Sequence, residues 1–273
     1  MSFVAIVGAG ELGGAIARTL VGRGRVSDVR LIDAASTVGA GKALDIQQAA
    51  PIDASPTRIS SYADLSAAAG AAAVLLADQE SDERCLEIVS RLVAFDRDAV
   101  LVCAAAGRAG AIAHGLRELR LPRARLFGSA PEAVVQALRA LVGIEADVSP
   151  SNVALTALGR VPGRIVVPWN DATIAGRPAS AVLTAAQLAR VERRAAAAVP
   201  GPYALAAAAA RAGEMIANGS RRVVCCTAGL EGEFGVSRAV GSLPVILGPG
   251  GIVRILAPAL DRREQVLLEN ALA

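Results

Sequence analysis

The chain has 273 residues, 53% of them hydrophobic but only 3% aromatic, with a formal net charge of +3. This length allows one or two domains with well-formed cores. The small charge and the scarcity of aromatic side chains predict no nucleic-acid partner. The most apolar stretches, Ala67 to Ala77 and Ala204 to Ala210, are shorter than the roughly 20 apolar residues that a membrane-spanning helix needs, so no membrane segment is expected.

The sequence gives no indication of an export signal or of a disulfide framework. The N-terminus enters a predicted strand by Phe3, without a basic region or an apolar signal core, so we expect a cytoplasmic protein. Four cysteines are too few for a disulfide scaffold in a chain of this size, and none forms a CxxC pair. We interpret them as buried thiols.

The first half of the chain alternates short apolar runs with amphipathic, alanine-rich segments. This alternation is typical of parallel strands separated by crossover helices. The predicted strands are Phe3 to Gly8, Asp28 to Asp33, Thr57 to Ser60, Ala72 to Ala77, Ala99 to Ala104 and Ala124 to Phe127. Six such strands predict an α/β fold with a doubly wound parallel sheet of Rossmann type over residues 1–130.

The pattern changes after Ala130, and residues 131–273 are predicted to form a second, α+β domain. Its predicted helices are Pro131 to Val142, Ala185 to Ala198, Tyr203 to Asn218 and a terminal helix from Asp261. Its predicted strands are Val153 to Leu158, Arg164 to Trp169, Val223 to Thr227 and Pro244 to Leu247. The turn VPGP at residues 199–202 separates two helices, because proline and glycine stop one helix and admit the next.

A glycine motif lies between the first predicted strand and helix. In AIVGAGELG, Gly8, Gly10 and Gly13 form GxGxxG. The first glycine permits a tight turn, the second lets the backbone approach a pyrophosphate, and the third lets helix and strand pack closely. The phosphates would rest on the helix N-terminus at Glu11 and Leu12, where free amides and the helix dipole favour anions.

An acid follows this motif at the distance that dinucleotide sites require. Asp33 ends the second predicted strand twenty positions after Gly13, where it can accept hydrogen bonds from the adenosine ribose. An acid there repels the extra phosphate of NADP, so NAD is the expected cofactor. The later GAGK at residues 39–42 is not a P-loop, because Ala43 and Ser36 occupy the Ser/Thr and first glycine positions.

Beyond the glycine motif, the sequence resembles the lactate and malate dehydrogenase family over most of its length. The likeness is carried by VAIVGAGELGGAIARTL, VRLIDAASTVGAGKALDIQQAAPI and RRVVCCTAGLEGEFGVSRAVGSLPVILGPGGIVRIL, with LPRARLFGSA and VPWNDATIAGRPAS between them. The resemblance implies a Rossmann domain, a C-terminal α+β domain of that family's type, and hydride transfer between NAD and a 2-hydroxy acid. It also implies assembly into dimers or tetramers, so we expect a homo-oligomer.

The family's catalytic residues can be sought one by one. Its proton-transferring histidine lies in an HGD motif before a VP pair, and the corresponding stretch here, GRVPGRIVVP, places Pro162 at or next to the histidine and Arg164 at the aspartate of that motif. The family's orienting aspartate and substrate-clamping arginine fall at Val134 and Ala137. Neither pair can supply the chemistry that the resemblance implies.

The resemblance also implies a mobile arginine-bearing loop, which is shortened here. After Ala77 the chain runs through DQESDERCLEIV directly into a predicted helix, and Arg84 has the spacing of a helix-surface residue. The family's Asn-Pro pair is replaced by Ala106 and Gly107. The only histidine, His114, falls on a predicted helix as a surface or packing residue.

These observations leave two main functional hypotheses. In a third, the chain is a scaffold that has also lost the ability to bind NAD. In the first, the protein binds NAD(H) without standard dehydrogenase activity and serves as a sensor, a regulatory partner or a structural subunit. In the second, it is an NAD-dependent oxidoreductase acting on a small 2-oxo or 2-hydroxy acid through a rebuilt site. Weak catalytic candidates are Arg160 and Arg164 as anion binders and Cys103 near the end of the fifth strand, whereas Trp169 reads as a core or interface residue. No metal is expected.

Overall fold

The structure is a computed structural model that describes residues 2–197 and 199–272. Ala198, which was predicted to end a helix, lies outside the described residues. Within the part of the chain that is described, no helix combines the length and the apolar character needed to cross a membrane.

Six parallel strands form the N-terminal half of the main sheet. In chain order they are β1 (Phe3–Val7), β2 (Asp28–Ile32), β3 (Arg58–Tyr62), β4 (Ala73–Leu76), β5 (Leu101–Cys103) and β6 (Leu126–Gly128). The connecting helices are α1 (Glu11–Arg23), α2 (Ser36–Ala49), α3 (Asp82–Phe95) and α4 (Ala109–Glu118). The spatial order is β3-β2-β1-β4-β5-β6. Because the winding reverses between β1 and β4, the predicted doubly wound sheet is confirmed.

The central strands are buried on both faces. All five residues of β1 and all four of β4 are buried, which explains why they read as continuous apolar runs rather than alternating ones. Successive side chains enter opposite cores: Ile6 and Leu75 pack in one cluster, and Ala5 and Leu76 in the other. The sheet thus forms the middle layer of three.

The second half of the chain extends the same sheet with antiparallel strands. Its helices are α5 (Ala130–Ala146), α6 (Ala179–Val182), α7 (Ala185–Ala197), α8 (Pro202–Asn218) and α9 (Arg262–Leu272). Its strands are β7 (Val153–Ala154), β8 (Leu158–Arg160), β9 (Arg164–Val166), β10 (Thr173–Ile174), β11 (Arg177–Pro178), β12 (Val223–Glu231), β13 (Ser237–Gly248) and β14 (Gly251–Ile255).

Strand β12 joins the two halves by pairing with β6 through Thr227 and Gly128. The sheet then continues through β13, β8 and β9, with β14 also paired to β13, while β7, β10 and β11 form a separate small sheet. The predicted division into domains after residue 130 falls just inside the start of α5 and stays a prediction.

All four predicted C-terminal strands differ from their predicted bounds, and β9 ends at Val166 rather than at Trp169. The predicted strand from Val153 to Leu158 is two short strands in different sheets, and β12 and β13 run further than predicted because they pair along most of their length. Strand β14 was not predicted. It begins at Gly251, whose φ is +100°. A Cβ at this position would lie 1.9 Å from the Ala124 carbonyl oxygen. Because the strand begins with this required glycine, its local sequence is typical of a turn.

The predicted break between two helices is confirmed. Helix α7 ends at Ala197 and α8 begins at Pro202, where the missing amide hydrogen of proline costs nothing. Helix α8 ends at Asn218, and the φ of +67° at the following Gly219 lets the Gly219 amide donate to the Met215 carbonyl.

The four cysteines are free and buried, as predicted. Burial raises the pKa of Cys225 to about 12, so this thiol stays protonated at neutral pH. Cys103 lies in β5 with its sulfur 3.8 Å from that of Cys85 on α3, in the packing role that the sequence favoured over a catalytic one.

Candidate functional site

The candidate site lies where the carboxyl ends of β1, β2 and β4 meet at one edge of the sheet. The register pairs Val7 with Ile32 on one side and with Leu76 on the other. The residues that follow these three strands are therefore brought together. They are Gly8, Asp33 and Ala77, the positions at which open α/β sheets bind ligands.

Two of the three motif positions require glycine, because another part of the backbone packs closely against each of them. Gly8 has a φ of +107°, and a Cβ there would lie 2.3 Å from the Ala77 carbonyl oxygen. A Cβ on Gly13 would lie 1.9 Å from the Gly8 carbonyl oxygen. These contacts place the first turn of α1 directly against the end of β1.

Asp33 lies at the carboxyl end of β2, beside the glycine loop. Its Oδ2 accepts the amide of Ala9 at 2.6 Å and its Oδ1 accepts the amide of Ala35 at 2.8 Å. The half-buried carboxylate is thus oriented by two backbone donors, and it lines a cleft of about 580 Å³ at this edge of the sheet. Asp33 follows β2 as the sequence predicted, and its contact with a cofactor stays a prediction.

Asp78, which was not among the predicted site residues, occupies the centre of the site. Asp78 follows β4, and its carboxylate accepts the amide of Leu12 at 2.9 Å and the amide of Gly13 at 2.7 Å. These are amides of the first turn of α1, which the sequence assigned to the phosphates of a dinucleotide. An acid two residues past the end of a central strand was the signal that could have revealed it.

Asp78 also explains the second glycine of the motif. A Cβ on Gly10 would lie 2.5 Å from Cγ of Asp78 and 2.6 Å from its Oδ1. The φ of Gly10 is −70°, which any residue can adopt. The space above Gly10 is therefore filled by a carboxylate of the chain itself.

The single lysine of the sequence also reaches this loop. Lys42 Nζ donates to the carbonyl oxygen of Gly10 at 2.5 Å. It projects from α2, which contains the whole GAGK segment. That segment is helical, as expected for a sequence that is not a P-loop.

The proposed anion binders of a rebuilt site, Arg160 and Arg164, are engaged at the end of α9. Arg160 Nη2 donates to the Leu272 carbonyl at 2.8 Å, and Arg164 Nη1 donates to the Asn270 carbonyl at 3.1 Å. Guanidinium groups satisfy orphan carbonyls at a helix C-terminus and complement its dipole. Pro162 lies between them in the exposed turn that joins β8 and β9.

Helix α5 carries the two residues that the resemblance places at the family's orienting aspartate and clamping arginine. Val134 is buried and Ala137 is exposed. The nearby Glu132 is buried and accepts the Cys225 amide at 3.0 Å and the Gln136 side chain at 2.7 Å. Its carboxylate is therefore committed to holding α5 against β12.

The connection between β4 and α3 is as short as the sequence predicted, since it comprises residues 77–81 only. Ser81 caps α3 by accepting the amide of Arg84 at 3.2 Å. Arg84 pairs with Glu87 on the exposed helix surface at 2.5 Å, as its spacing predicted.

The remaining candidates lie in ordinary structural settings. His114 is half exposed on α4, 3.4 Å from Glu118 one turn on. Trp169 packs against the core and donates its indole N–H to Glu192 at 2.6 Å. Ala106 and Gly107 lie in the loop before α4. Across residues 2–197 and 199–272, no group of three or more His, Cys, Asp or Glu residues could hold a metal ion.

The sheet order, the glycine loop and Asp33 together define a Rossmann-type α/β protein with an antiparallel C-terminal extension. No protein-family model matches the chain. Curated relatives do match: the chain is 28% identical to a malate dehydrogenase of Dehalococcoides mccartyi and 28% identical to an L-lactate dehydrogenase of Allorhizobium ampelinum. Each alignment covers 98% of this chain and 95% of the relative.

Solved structures show the same fold. A malate dehydrogenase from Salinibacter ruber superposes with a TM-score of 0.89 at 23% identity, over 98% of this chain and 93% of that one. A lactate dehydrogenase from Cryptosporidium parvum, solved with lactic acid and NAD, gives 0.90 at 23% identity, over 99% and 94%. The resemblance to lactate and malate dehydrogenases is therefore confirmed: the chain is similar to them in sequence over nearly its whole length, and it has their fold.

Proposed function

We propose that this protein binds NAD(H) in the cleft beside Asp33 and does not carry out standard 2-hydroxy acid dehydrogenation. The observation that carries the proposal is a contrast between two parts of one molecule. Asp33 and the glycine loop meet at the sheet edge, whereas the resemblance places Pro162, in an exposed turn, at or next to the position of the proton-transferring histidine. A sensor, regulatory or structural role fits this contrast.

The adenosine half of the cofactor is expected to contact Asp33 through its ribose hydroxyls. The amides of Glu11, Leu12 and Gly13, together with the glycine at position 8 that allows the turn, would hold the pyrophosphate. The cofactor would supply hydride transfer, and the protein would have to supply proton transfer and substrate orientation. The relatives named as dehydrogenases support NAD as the cofactor.

The residues available for proton transfer and orientation argue against ordinary turnover. Loss of general acid–base catalysis alone costs about 10²–10⁴-fold in rate. Val134 and Ala137 offer no charge to orient a base or clamp a carboxylate, and residues 77–81 are too few to cover a substrate. His114 is held on α4 beside Glu118.

A second function, an oxidoreductase acting on a small 2-oxo acid, is favoured by the names of the relatives. The match extends over 98% of the chain and 95% of the malate dehydrogenase relative. Such an enzyme would need a new proton donor and a new carboxylate clamp. Arg160 and Arg164 are the candidates for the clamp, and both would have to leave the carbonyls of α9. A cytoplasmic location and homo-oligomerisation stay predictions.

The test is a fluorescence titration of NADH, followed by a panel of 2-oxo acids in the same cuvette. We expect NADH to bind more tightly than NADPH and its signal to survive the whole panel. Asp33→Asn should reduce the preference for NADH over NADPH. Asp28→Asn, at the opposite end of the same strand, is the matched control and should leave the preference unchanged.

Two results would overturn the proposal. Consumption of NADH by oxaloacetate or another oxo acid at enzyme-like rates would favour the oxidoreductase. An absence of NADH binding, both in the wild type and in the variants described below, would favour a scaffold without a cofactor.

A further inference from the structure

The first turn of α1 already holds an anion. Both carboxylate oxygens of Asp78 are bonded, one to the Leu12 amide at 2.9 Å and the other to the Gly13 amide at 2.7 Å. A helix N-terminus binds a negative group through these free amides and its dipole. A pyrophosphate in the cleft would need the same donors, so it cannot bind there while Asp78 stays in place.

The position of Asp78 is built into the fold. Its φ is +54°, a left-handed conformation that aspartate adopts more readily than most residues. The residues on either side are anchored: the Ala77 amide donates to Val7 at 2.9 Å, and the Gln79 side chain donates to the carbonyls of Ala77 and Val7 at 2.6 and 3.2 Å. Arg108 donates to the Gln79 carbonyl at 2.6 Å. The backbone thus aims the carboxylate at α1.

The cleft around Asp78 is acidic. Besides Asp78, it is lined by the carboxylates of Asp33, Asp64 and Glu80, against the two guanidinium groups of Arg84 and Arg91. Hydrogen bonds from Ser66 hold the pKa of Asp64 below its usual value, so that carboxylate is ionised at neutral pH. An incoming pyrophosphate therefore meets a like-charged cleft as well as an occupied helix terminus.

We propose that Asp78 is the residue that sets the ligand specificity of this cleft, by acting as an internal occupant of the pyrophosphate position. The inference rests on the proposed NAD site. A ligand that carries a diphosphate must displace the Asp78 carboxylate and binds weakly for that reason. A nucleoside without phosphate uses only the part of the cleft beside Asp33 and does not compete with Asp78.

The experiment compares the wild type with Asp78→Gly and Asp78→Asn. Glycine accepts the positive φ of position 78 without strain, and asparagine tolerates it, so both variants should fold. Asp45→Asn is the matched control: it neutralises one exposed carboxylate on α2, and Asp45 is not among the residues that line the cleft. Binding of NADH, adenosine and inorganic pyrophosphate is measured by calorimetry at constant ionic strength.

The expected result is a gain of at least tenfold in NADH affinity for Asp78→Gly and a smaller gain for Asp78→Asn, whose side-chain oxygen can still accept one amide. Adenosine affinity should change less than about threefold in all variants, and Asp45→Asn should change NADH affinity by a similarly small factor, because exposed charges interact weakly. A tenfold gain corresponds to about 1.4 kcal/mol.

Amide signals of Leu12 and Gly13 in ligand-free protein give an independent readout. Both should shift in nuclear magnetic resonance spectra of Asp78→Gly, because each loses its carboxylate acceptor. If they shift and NADH binds the wild type and Asp78→Gly equally, the competition is refuted while the NAD proposal stands. Unchanged amide signals would refute the contact itself.

Binding of inorganic pyrophosphate distinguishes the remaining outcomes. If no variant binds NADH but pyrophosphate binds Asp78→Gly and not the wild type, the role of Asp78 is supported and the NAD proposal fails. If neither ligand binds any variant, both proposals fail.

Discussion

The Asp78 carboxylate and the backbone amide of Gly13 are 2.7 Å apart, although they are separated by 65 positions in the chain. This contact joins the loop after β4 to the first turn of α1. It gives the helix N-terminus a charged acceptor, which is stronger than a neutral one. The same contact fills the position that the glycine motif assigns to a cofactor.

Gly10→Ala should destabilise the protein through Asp78. The new Cβ would lie 2.5 Å from Asp78 Cγ, while the backbone at Gly10 accepts alanine without strain. Overpacking of this kind costs about 1–3 kcal/mol in the free energy of unfolding, measured by urea denaturation.

In an Asp78→Gly background, Gly10→Ala should cost much less than it does in the wild type, because the clashing side chain is gone. Gly13→Ala is the matched control, since its Cβ would meet the Gly8 carbonyl oxygen at 1.9 Å and no change at position 78 can relieve that contact. Equal losses for Gly10→Ala with and without Asp78 would contradict the assignment.

Glu132→Ala should be strongly destabilising. The buried carboxylate accepts the Cys225 amide at 3.0 Å and lies 4.0 Å from the Arg211 guanidinium. Removing it leaves a buried amide and a nearby charge without a partner, at a cost of about 2–4 kcal/mol in the free energy of unfolding.

Glu132→Gln keeps an acceptor for the Cys225 amide and should cost less than half as much. Gln136→Ala removes only the exposed partner of Glu132 and should cost about 1 kcal/mol or less. Thermal or urea unfolding of the three variants checks the order. A loss for Glu132→Ala no larger than that for Gln136→Ala would show that the carboxylate does not hold α5 against β12.

Glu233 should make folding stability depend on pH at the acid end. Burial raises the pKa of this carboxyl, but hydrogen bonds from backbone amides, including that of Glu231 at 2.7 Å, and from Arg123 at 2.8 Å outweigh burial, so the pKa lies below its ordinary value of 4.5. A carboxyl with a lower pKa in the folded state stabilises the fold fully above its unfolded pKa. That contribution is lost as the pH falls below about 4.5 and through the folded pKa.

The measurement is denaturant unfolding of the wild type and Glu233→Gln between pH 7 and pH 3. The stability difference between them should be constant from pH 7 to about pH 5.5 and should shrink at lower pH, because the wild-type side chain becomes neutral there. A difference that does not change over this range would rule out the lowered pKa.

Local sequence patterns were sufficient to predict the parallel half of the sheet. Buried parallel strands read as apolar runs, and Phe3–Val7 and Ala73–Leu76 could be found from composition alone. Strand β14 was missed because its first residue, Gly251, serves a contact with Ala124 that is remote in the sequence. The structural role of Glu132 was not predicted, since its burial against Cys225 depends on how α5 packs on β12.

The sequence by itself determined the glycine turn, the acid at the end of β2 and the order of strands and helices, because these depend on residue types at short, fixed spacings. Only the tertiary structure decided which group binds the α1 amides beside that turn. The carboxyl ends of parallel strands meet at one edge of the sheet, so a residue 65 positions away from Gly13 can place its carboxylate on the α1 amides. Such a contact depends on strand register and on a positive φ at Asp78, which no local pattern specifies.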